Sequence, residues 1–179
     1  LSYSYLDTKL TFRGKNNNGK PLRYNVIHNE YIVDAYVSFG LVVKAIDALT
    51  NKRKIKYLHG YPSSIYAFCK FLQDNNIDAQ KLFNNKLQGV FLGSEYPAPK
   101  YRELIEKILK VSTISWYGHS EMAILAYEKN DAFTYYPFQT YGYTEAIHTS
   151  SGESKLVGTS YYNYNSPFIR YDTGDRITG

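Results

Sequence analysis

From Ile55 to Glu121 the chain carries three short strand-like runs, Ile55–Leu58, Gln88–Leu92 and Val111–Trp116, separated by two amphipathic stretches. Between the first two runs, Ile65, Phe68, Cys69 and Leu72 recur at i, i+3, i+4 and i+7, which predicts a helix from Ser63 to about Asp74. Between the second and third, Tyr101, Leu104, Ile105 and Ile108 do the same within Pro97–Leu109. Strand–helix–strand–helix–strand, with crossovers of about ten residues or more, calls for a parallel sheet with right-handed connections. Each run leads into a polar turn that contains glycine: His59-Gly60, Gly93-Ser94-Glu95 and Tyr117-Gly118. In a parallel sheet such turns share one edge, beyond the carboxyl ends of the strands, where open α/β sheets hold their ligands.

Outward from this core the pattern is less regular. Leu6–Arg13 and Leu22–Ile27 read as strands around the polar loop Lys15–Pro21. Tyr31–Leu49 is apolar and reads as a helix, with Val37, Leu41, Lys44-Ala45 and Ala48 on one face. After Glu121 the rhythm changes to short strands, Met122–Tyr127, Thr134–Tyr136, Gly142–His148, Ser154–Tyr161 and Phe168–Tyr171. Turn chemistry at Lys129-Asn130-Asp131 and Ser150–Glu153 separates them. The expected fold is therefore α/β: a parallel βαβ portion over residues 1–121, followed by an antiparallel or barrel-like β portion over 122–179. No linker parts them, so both belong to one domain.

Bulk composition narrows the function classes. The 179 residues carry 21 Lys+Arg against 16 Asp+Glu, and 10 of the basic residues lie before Tyr61, densest at Lys52-Arg53-Lys54 and Lys56. A short cluster of this kind is ordinarily a solvated loop or helix end rather than a nucleic-acid surface. The 20 tyrosines suit strands and half-wet surfaces, and no glycine–aromatic signature of an RNA-binding sheet accompanies them. A single cysteine, Cys69, excludes an internal disulfide and sits where a thiol acts as a small hydrophobe. No apolar run approaches the roughly 18–20 residues of a membrane span, and no signal peptide is visible. These features point to a cytoplasmic protein without membrane insertion or nucleic-acid binding.

The polar groups at the strand ends carry the chemistry. In Ser115-Trp116-Tyr117-Gly118-His119-Ser120-Glu121 an apolar run gives way to a hydroxyl and a carboxylate, which suit a phosphate contact and a divalent cation; the plain alternative is a capped surface turn. Near the end of the chain, Pro167-Phe168-Ile169-Arg170-Tyr171-Asp172-Thr173-Gly174-Asp175 places Asp175 after a strand and a glycine. A carboxylate there can accept hydrogen bonds from vicinal sugar hydroxyls, or simply cap a hairpin. His28, His59, His119 and His148 lack zinc-ligand spacing.

Taken together, His59-Gly60-Tyr61-Pro62-Ser63, Gly93-Ser94-Glu95, Tyr117-Gly118-His119-Ser120-Glu121, Leu156-Val157-Gly158-Thr159 and Pro167–Asp175 resemble, in order, the motifs of the adenylate-forming superfamily. That superfamily comprises acyl-CoA synthetases, peptide-synthetase adenylation domains and luciferases. The pattern is most similar to its phenylacetate–CoA ligase-like branch, which includes proteins of capsular polysaccharide clusters. The resemblance implies an ATP-dependent ligase: a small carboxylic acid attacks the α-phosphate of ATP to form an acyl-adenylate, and coenzyme A then takes the acyl group. It further implies Glu121 as the Mg²⁺ ligand and catalytic carboxylate, with Ser120 as a donor near the α-phosphate. The Tyr117 ring would stack on adenine with Gly118 beside it in the cofactor site, the Gly93-Ser94-Glu95 backbone would line the base, and Asp175 would hold the ribose. Tyr61, Pro62 and His119 would lie near the acyl pocket.

The resemblance also implies parts that these residues do not supply. The lysine-bearing phosphate loop is expected before Leu1, and a smaller domain with the catalytic lysine after Gly179. The chain is thus expected to be an inner part of a larger N-terminal domain, holding the adenine, ribose and metal half of the site and inactive by itself. Sheet surface left open in such a part would favour dimerisation. The competing expectation is a non-catalytic α/β binding or interaction module whose tyrosines serve a partner surface.

Overall fold

The computed structural model describes residues 7–14, 19–129, 131–149 and 152–178. The expected turn residues Asn130 and Ser150-Ser151, the start of the first strand at Leu6 and most of the Lys15–Pro21 loop lie outside them. Two compact units divide the chain, Leu1–Ile114 and Ser115–Gly179.

In the first unit β1 (Lys9–Phe12), β2 (Leu22–Asn25), β3 (Glu30–Val33), β4 (Tyr57–Gly60) and β5 (Gly89–Leu92) lie in the order β2-β3-β1-β4-β5. The β1–β3, β1–β4 and β4–β5 pairs are parallel, and only the edge strand β2 runs antiparallel. Helices α1 (Phe39–Thr50), α2 (Pro62–Asp74), α3 (Ala79–Leu82) and α4 (Pro99–Leu109) complete it. Leu10, Phe12, Val33, Leu58, Val90 and Leu92 meet the apolar faces of all four helices in one core. In α2, the Ile65, Phe68, Cys69 and Leu72 face expected from the sequence is fully buried. Burial pushes the Cys69 thiol up to about 12, so it stays a packed hydrophobe.

The stretch Tyr31–Leu49 is not one helix. Its first residues belong to β3, whose register runs Glu30 to Val33 against Lys9 to Phe12, and helix begins only at Phe39. The buried face also differs from the expected one: Val42 and Ile46 are buried, with Phe39, Val43 and Leu49 packed beside them, while Leu41 is 52% exposed. Apolar residues on nearly every position supply two competing helical phases, and starting the helix eight residues late selects the other. The short helix α3 was not expected. Its Asp78 cap accepts hydrogen bonds from the backbone N–H groups of Gln80 and Lys81.

The second unit holds β6 (Thr113–Gly118), whose first two residues belong to the first unit, then β7 (Leu125–Glu128) and β8 (Tyr135–Pro137) in antiparallel succession. A separate antiparallel sheet contains β9 (Gly142–His148), β10 (Ser154–Ser160) and β11 (Tyr171–Ile177), in the order β11-β10-β9. Two expected boundaries move. Tyr117-Gly118 pairs with Ala126 and Leu125 and so lies inside β6, which makes the turn begin at His119. Thr173-Gly174-Asp175 lies inside β11 rather than after a strand ending at Tyr171. Asp172 faces Val157 and Arg176 faces Lys155, so those three residues bulge opposite Leu156 alone. Glycine at 174, with φ +77°, accommodates the bulge.

Glu128 is a buried structural carboxylate of this unit. It accepts hydrogen bonds from the backbone N–H groups of Ser115 and Phe133, each at 2.8 Å. Removing it orphans two amides, at about 1–3 kcal/mol for each buried group left unpaired. Glu128→Ala should therefore lower unfolding free energy by several kcal/mol in urea titration, and Glu128→Gln should recover only part of it, because its one carbonyl oxygen can serve one amide while its NH2 faces the other. A Glu128→Ala protein as stable as wild type would refute this role.

His59 sits within β4, opposite Thr11 of β1 and Phe91 of β5. Burial, reinforced by the nearby Lys9 and Arg13 charges, pushes its pKa down to about 4 from 6.5. The unfolded chain is protonated there first, so His59 contributes fully above pH 6.5 and its contribution falls away toward pH 4. The loss is on the order of 3 kcal/mol across that window. His59→Gln should flatten this acid limb of the pH–stability curve. An unaltered slope would show that His59 is already charged in the folded state.

Candidate functional site

In the first unit, the sequence-selected residues meet at the carboxyl edge of the parallel sheet. Tyr61 ends the extended chain leaving β4, its N–H donating to the Phe12 carbonyl at 3.4 Å, and Pro62 opens α2 at a position where its missing N–H costs nothing. The Gly93 N–H donates to the Gly60 carbonyl at 3.2 Å, tying the turn after β5 to the end of β4. Glu95 then caps α2: its carboxylate accepts the Ser63 N–H at 3.1 Å and the Ser63 hydroxyl at 3.0 Å. A carboxylate at a helix N-terminus is doubly favoured there, by the orphan N–H groups and by the helix dipole. Between them Ser94 takes φ +67°, an unusual conformation for a residue with a side chain. Gly93-Ser94-Glu95 is thus a fixed turn, held by a side-chain clamp that sequence spacing did not reveal.

In the second unit, Tyr117, His119, Glu121, Tyr171 and Asp175 form one connected cluster. The Tyr117 hydroxyl donates to Asp175 Oδ2 at 2.5 Å. The Tyr171 hydroxyl donates to Glu121 Oε1 at 3.3 Å, and His119 Nδ1 stands 3.1 Å from Glu121 Oε2. The His119 ring lies between the two tyrosines, its centroid 6.0 Å from that of Tyr117 and 5.8 Å from that of Tyr171. Its Nε2 is buried without a hydrogen-bond partner among the described residues. Ser120 is exposed at the tip of the turn.

Local structure accounts for each position. Tyr117 comes from the end of β6, and His119 to Glu121 from the turn that follows, closed by the Met122 N–H donating to the His119 carbonyl at 3.2 Å. Asp175 is delivered by the β11 bulge, where the Thr173 hydroxyl donates to the Leu156 carbonyl and accepts from the Asp175 N–H. Tyr171 lies within the Pro167–Asp175 motif, and only the β10–β11 register, which sets it opposite Gly158, reveals that it reaches Glu121.

The electrostatics divide the two carboxylates. The Glu121 N–H, foremost, holds the Glu121 carboxyl below the usual carboxylate range; His119 adds to this, and partial desolvation opposes it. Glu121 is therefore an anion at neutral pH. Desolvation, then the bond to Asp175, pushes the Tyr117 hydroxyl well above the usual phenol range, so it remains a donor. Asp175 offers further lone pairs beyond the one that Tyr117 uses, as a carboxylate accepts about four hydrogen bonds. No cluster of three or more metal-ligating side chains occurs among the described residues. One ionised carboxylate suits Mg²⁺, which keeps waters and is shared with substrate phosphates, rather than a cation caged by protein alone.

No family model matches the chain. Its sequence is 26% identical to Protein CapK of Staphylococcus aureus over 155 residues, which are 87% of this chain and 33% of CapK. The fold is similar to that of 2-hydroxyisobutyryl-CoA ligase, solved in an open conformation in complex with 2-HIB-AMP and CoA, with TM-score 0.66 and 15% identity over 95% of this chain and 40% of the ligase. It is also similar to malonyl-CoA ligase, solved as a ternary product complex with methylmalonyl-CoA and AMP, with TM-score 0.56 and 15% identity over 97% of this chain and 42% of that one. The chain thus spans about a third of CapK and about two-fifths of each ligase. Its fold is that of a part of the adenylate-forming acyl-CoA ligases.

Proposed function

We propose that this chain is the nucleotide-handling part of an ATP-dependent ligase that activates a carboxylic acid as its acyl-adenylate and passes the acyl group to coenzyme A. The observation that carries the reading is the grouping in the second unit. Two carboxylates far apart in sequence, Glu121 and Asp175, are each held by a tyrosine hydroxyl beside one shared imidazole. The likeness in fold to ligases solved with acyl-AMP or AMP and with CoA supports it. The order of the motifs favours the phenylacetate–CoA ligase-like branch and a role in polysaccharide biosynthesis.

On this reading Asp175 accepts from the ribose hydroxyls, and Tyr117 offers its ring to adenine while its hydroxyl orients Asp175. Glu121 holds Mg²⁺, which when bound neutralises phosphate charge as the carboxylate nucleophile approaches. Ser120, exposed at the turn, donates to the α-phosphate. Within the first unit the motif resemblance assigns the clamped Gly93-Ser94-Glu95 turn to the base and Tyr61 and Pro62 to the acyl group; within the second it assigns His119 to the acyl group.

Nucleotide binding by the full-length protein separates these roles. Asp175→Asn should weaken ATP and AMP alike by roughly 10-fold or more, since hydrogen bonds to a charged acceptor are worth about 1.5–3 kcal/mol. Glu121→Gln should weaken ATP only when Mg²⁺ is present and leave metal-free AMP binding within about threefold. Tyr117→Ala should cost about 1–3 kcal/mol for either nucleotide. Asp131→Asn, at an exposed turn, serves as the neutral comparison. Calorimetry in which Glu121→Gln and Asp175→Asn both bind like wild type would refute the assignment.

A further inference from the structure

Glu121 is the first residue of a short segment, 121–124, that belongs to none of the strands among the described residues. Met122 follows in the left-handed region, with φ 57°, and Ala123 and Ile124 are then fully buried before β7 begins. The surface that receives this segment is one face of the β9–β10 pair. Gly142 lies opposite Ser160, and Thr144 lies opposite Gly158, so both glycines are on that same face. A methyl group built on Gly142 would stand 2.0 Å from the Ala123 carbonyl oxygen and 2.9 Å from that of Thr159. One built on Gly158 would stand 2.5 Å from Ile124 Cγ1, 2.9 Å from Ile124 Cδ1 and 3.1 Å from the Ala123 Cβ. The segment therefore rests on bare backbone at two points. Across the next strand pair Gly158 faces Tyr171, the residue whose hydroxyl reaches Glu121.

We propose that Gly142 and Gly158 are positioning residues: they form the seat that fixes the Ala123-Ile124 segment, and with it the Glu121 carboxylate beside Tyr171, for metal-dependent nucleotide binding. The seat acts on Glu121 through the backbone, and Tyr171 acts on it through the side chain. Both originate at the same point of the sheet. A carboxylate on a short turn has several rotamers and a mobile backbone, and losing either support lets it leave the place where a cation shared with phosphate must sit. Misplacement of about 1 Å at a site of this kind can cost on the order of 100-fold in function. The metal part of the proposal rests on the reading of Glu121 given above. The seat itself does not.

The test compares full-length wild type, Gly158→Ala and Gly158→Ala/Ile124→Ala by hydrogen exchange of amides 119–124 and by ATP affinity across a Mg²⁺ titration. Gly158→Ala should speed exchange of that segment and raise the Mg²⁺ needed for half-maximal ATP binding by at least about 10-fold. Metal-free AMP affinity should stay within about threefold. Because the added methyl would occupy the space that Ile124→Ala empties, the double variant should return both readouts toward wild type. If Gly158→Ala does not fold, Ile124→Ala alone unseats the segment without adding an atom and carries the same expectation. Unchanged exchange and unchanged Mg²⁺ requirement, or no rescue in the double variant, overturns the proposal. A wild type whose ATP binding ignores Mg²⁺ refutes the metal role of Glu121, while the exchange measurements still judge the seat.

Discussion

The contact of Ala123 and Ile124 with two glycines on one sheet face is the constraint from which the second unit's site follows. Strands β6 and β7 pair with each other, and β9, β10 and β11 pair among themselves, so hydrogen-bond ladders alone leave the two sheets independent. What fixes the turn after β6 against the second sheet is packing at a distance that only glycine permits. Interiors of this density transmit displacement, since a single added methyl has nowhere to go except into its neighbour. The turn is short, and Glu121 is two residues from the seated pair, so its freedom is set there.

Charge then decides what the cluster can hold. Glu121 is ionised and Asp175 is a second carboxylate of the same unit, which is a poor setting for a bare phosphate. The two are therefore suited to different parts of a nucleotide. A neutral diol satisfies Asp175 without any counter-ion, whereas phosphate near Glu121 requires a cation between them. The tyrosines reinforce this division, because each presents a hydroxyl donor to one carboxylate. Two donors of one kind, Tyr117 and Tyr171, with His119 between their rings, give the site a rigid aromatic frame whose cost in side-chain entropy is small.

Much of the first unit is legible in the sequence because its order is local. The Ile65–Leu72 face, the Pro62 helix start and the apolar runs of β4 and β5 each declare themselves within about a dozen residues. Legibility fails where phase is ambiguous or pairing is distant. The stretch Tyr31–Leu49 offers two helical phases and a strand, and only the parallel register with β1 excludes the single helix. Glu128 is not visibly different from an exposed acid by spacing, yet it is buried and binds two backbone amides. Glu95 reads as a turn residue, and its clamp on Ser63 depends on two strands ending side by side. In the second unit, Glu121 and Asp175 stand out as polar groups at strand ends, but Tyr171 does not, because its value comes from lying opposite Gly158.

The bulge in β11 shows why the second carboxylate needs more than a strand position. In a regular ladder, Asp172 and Asp175 would alternate with their neighbours across the sheet, and Asp175 would be fixed by register to one face. Setting three residues opposite Leu156 breaks that alternation and increases the local twist. The Thr173 hydroxyl and the Asp172 carboxylate satisfy backbone groups that the bulge would otherwise leave unpaired. Asp172 is in turn held by Lys155 at 2.8 Å, so the acid that props the bulge is itself neutralised. Asp175 is thereby spared any structural ion pair among the described residues and faces the Tyr117 hydroxyl instead. Its side chain thus keeps acceptor capacity for a ligand while its backbone is fully supported by the residues that precede it.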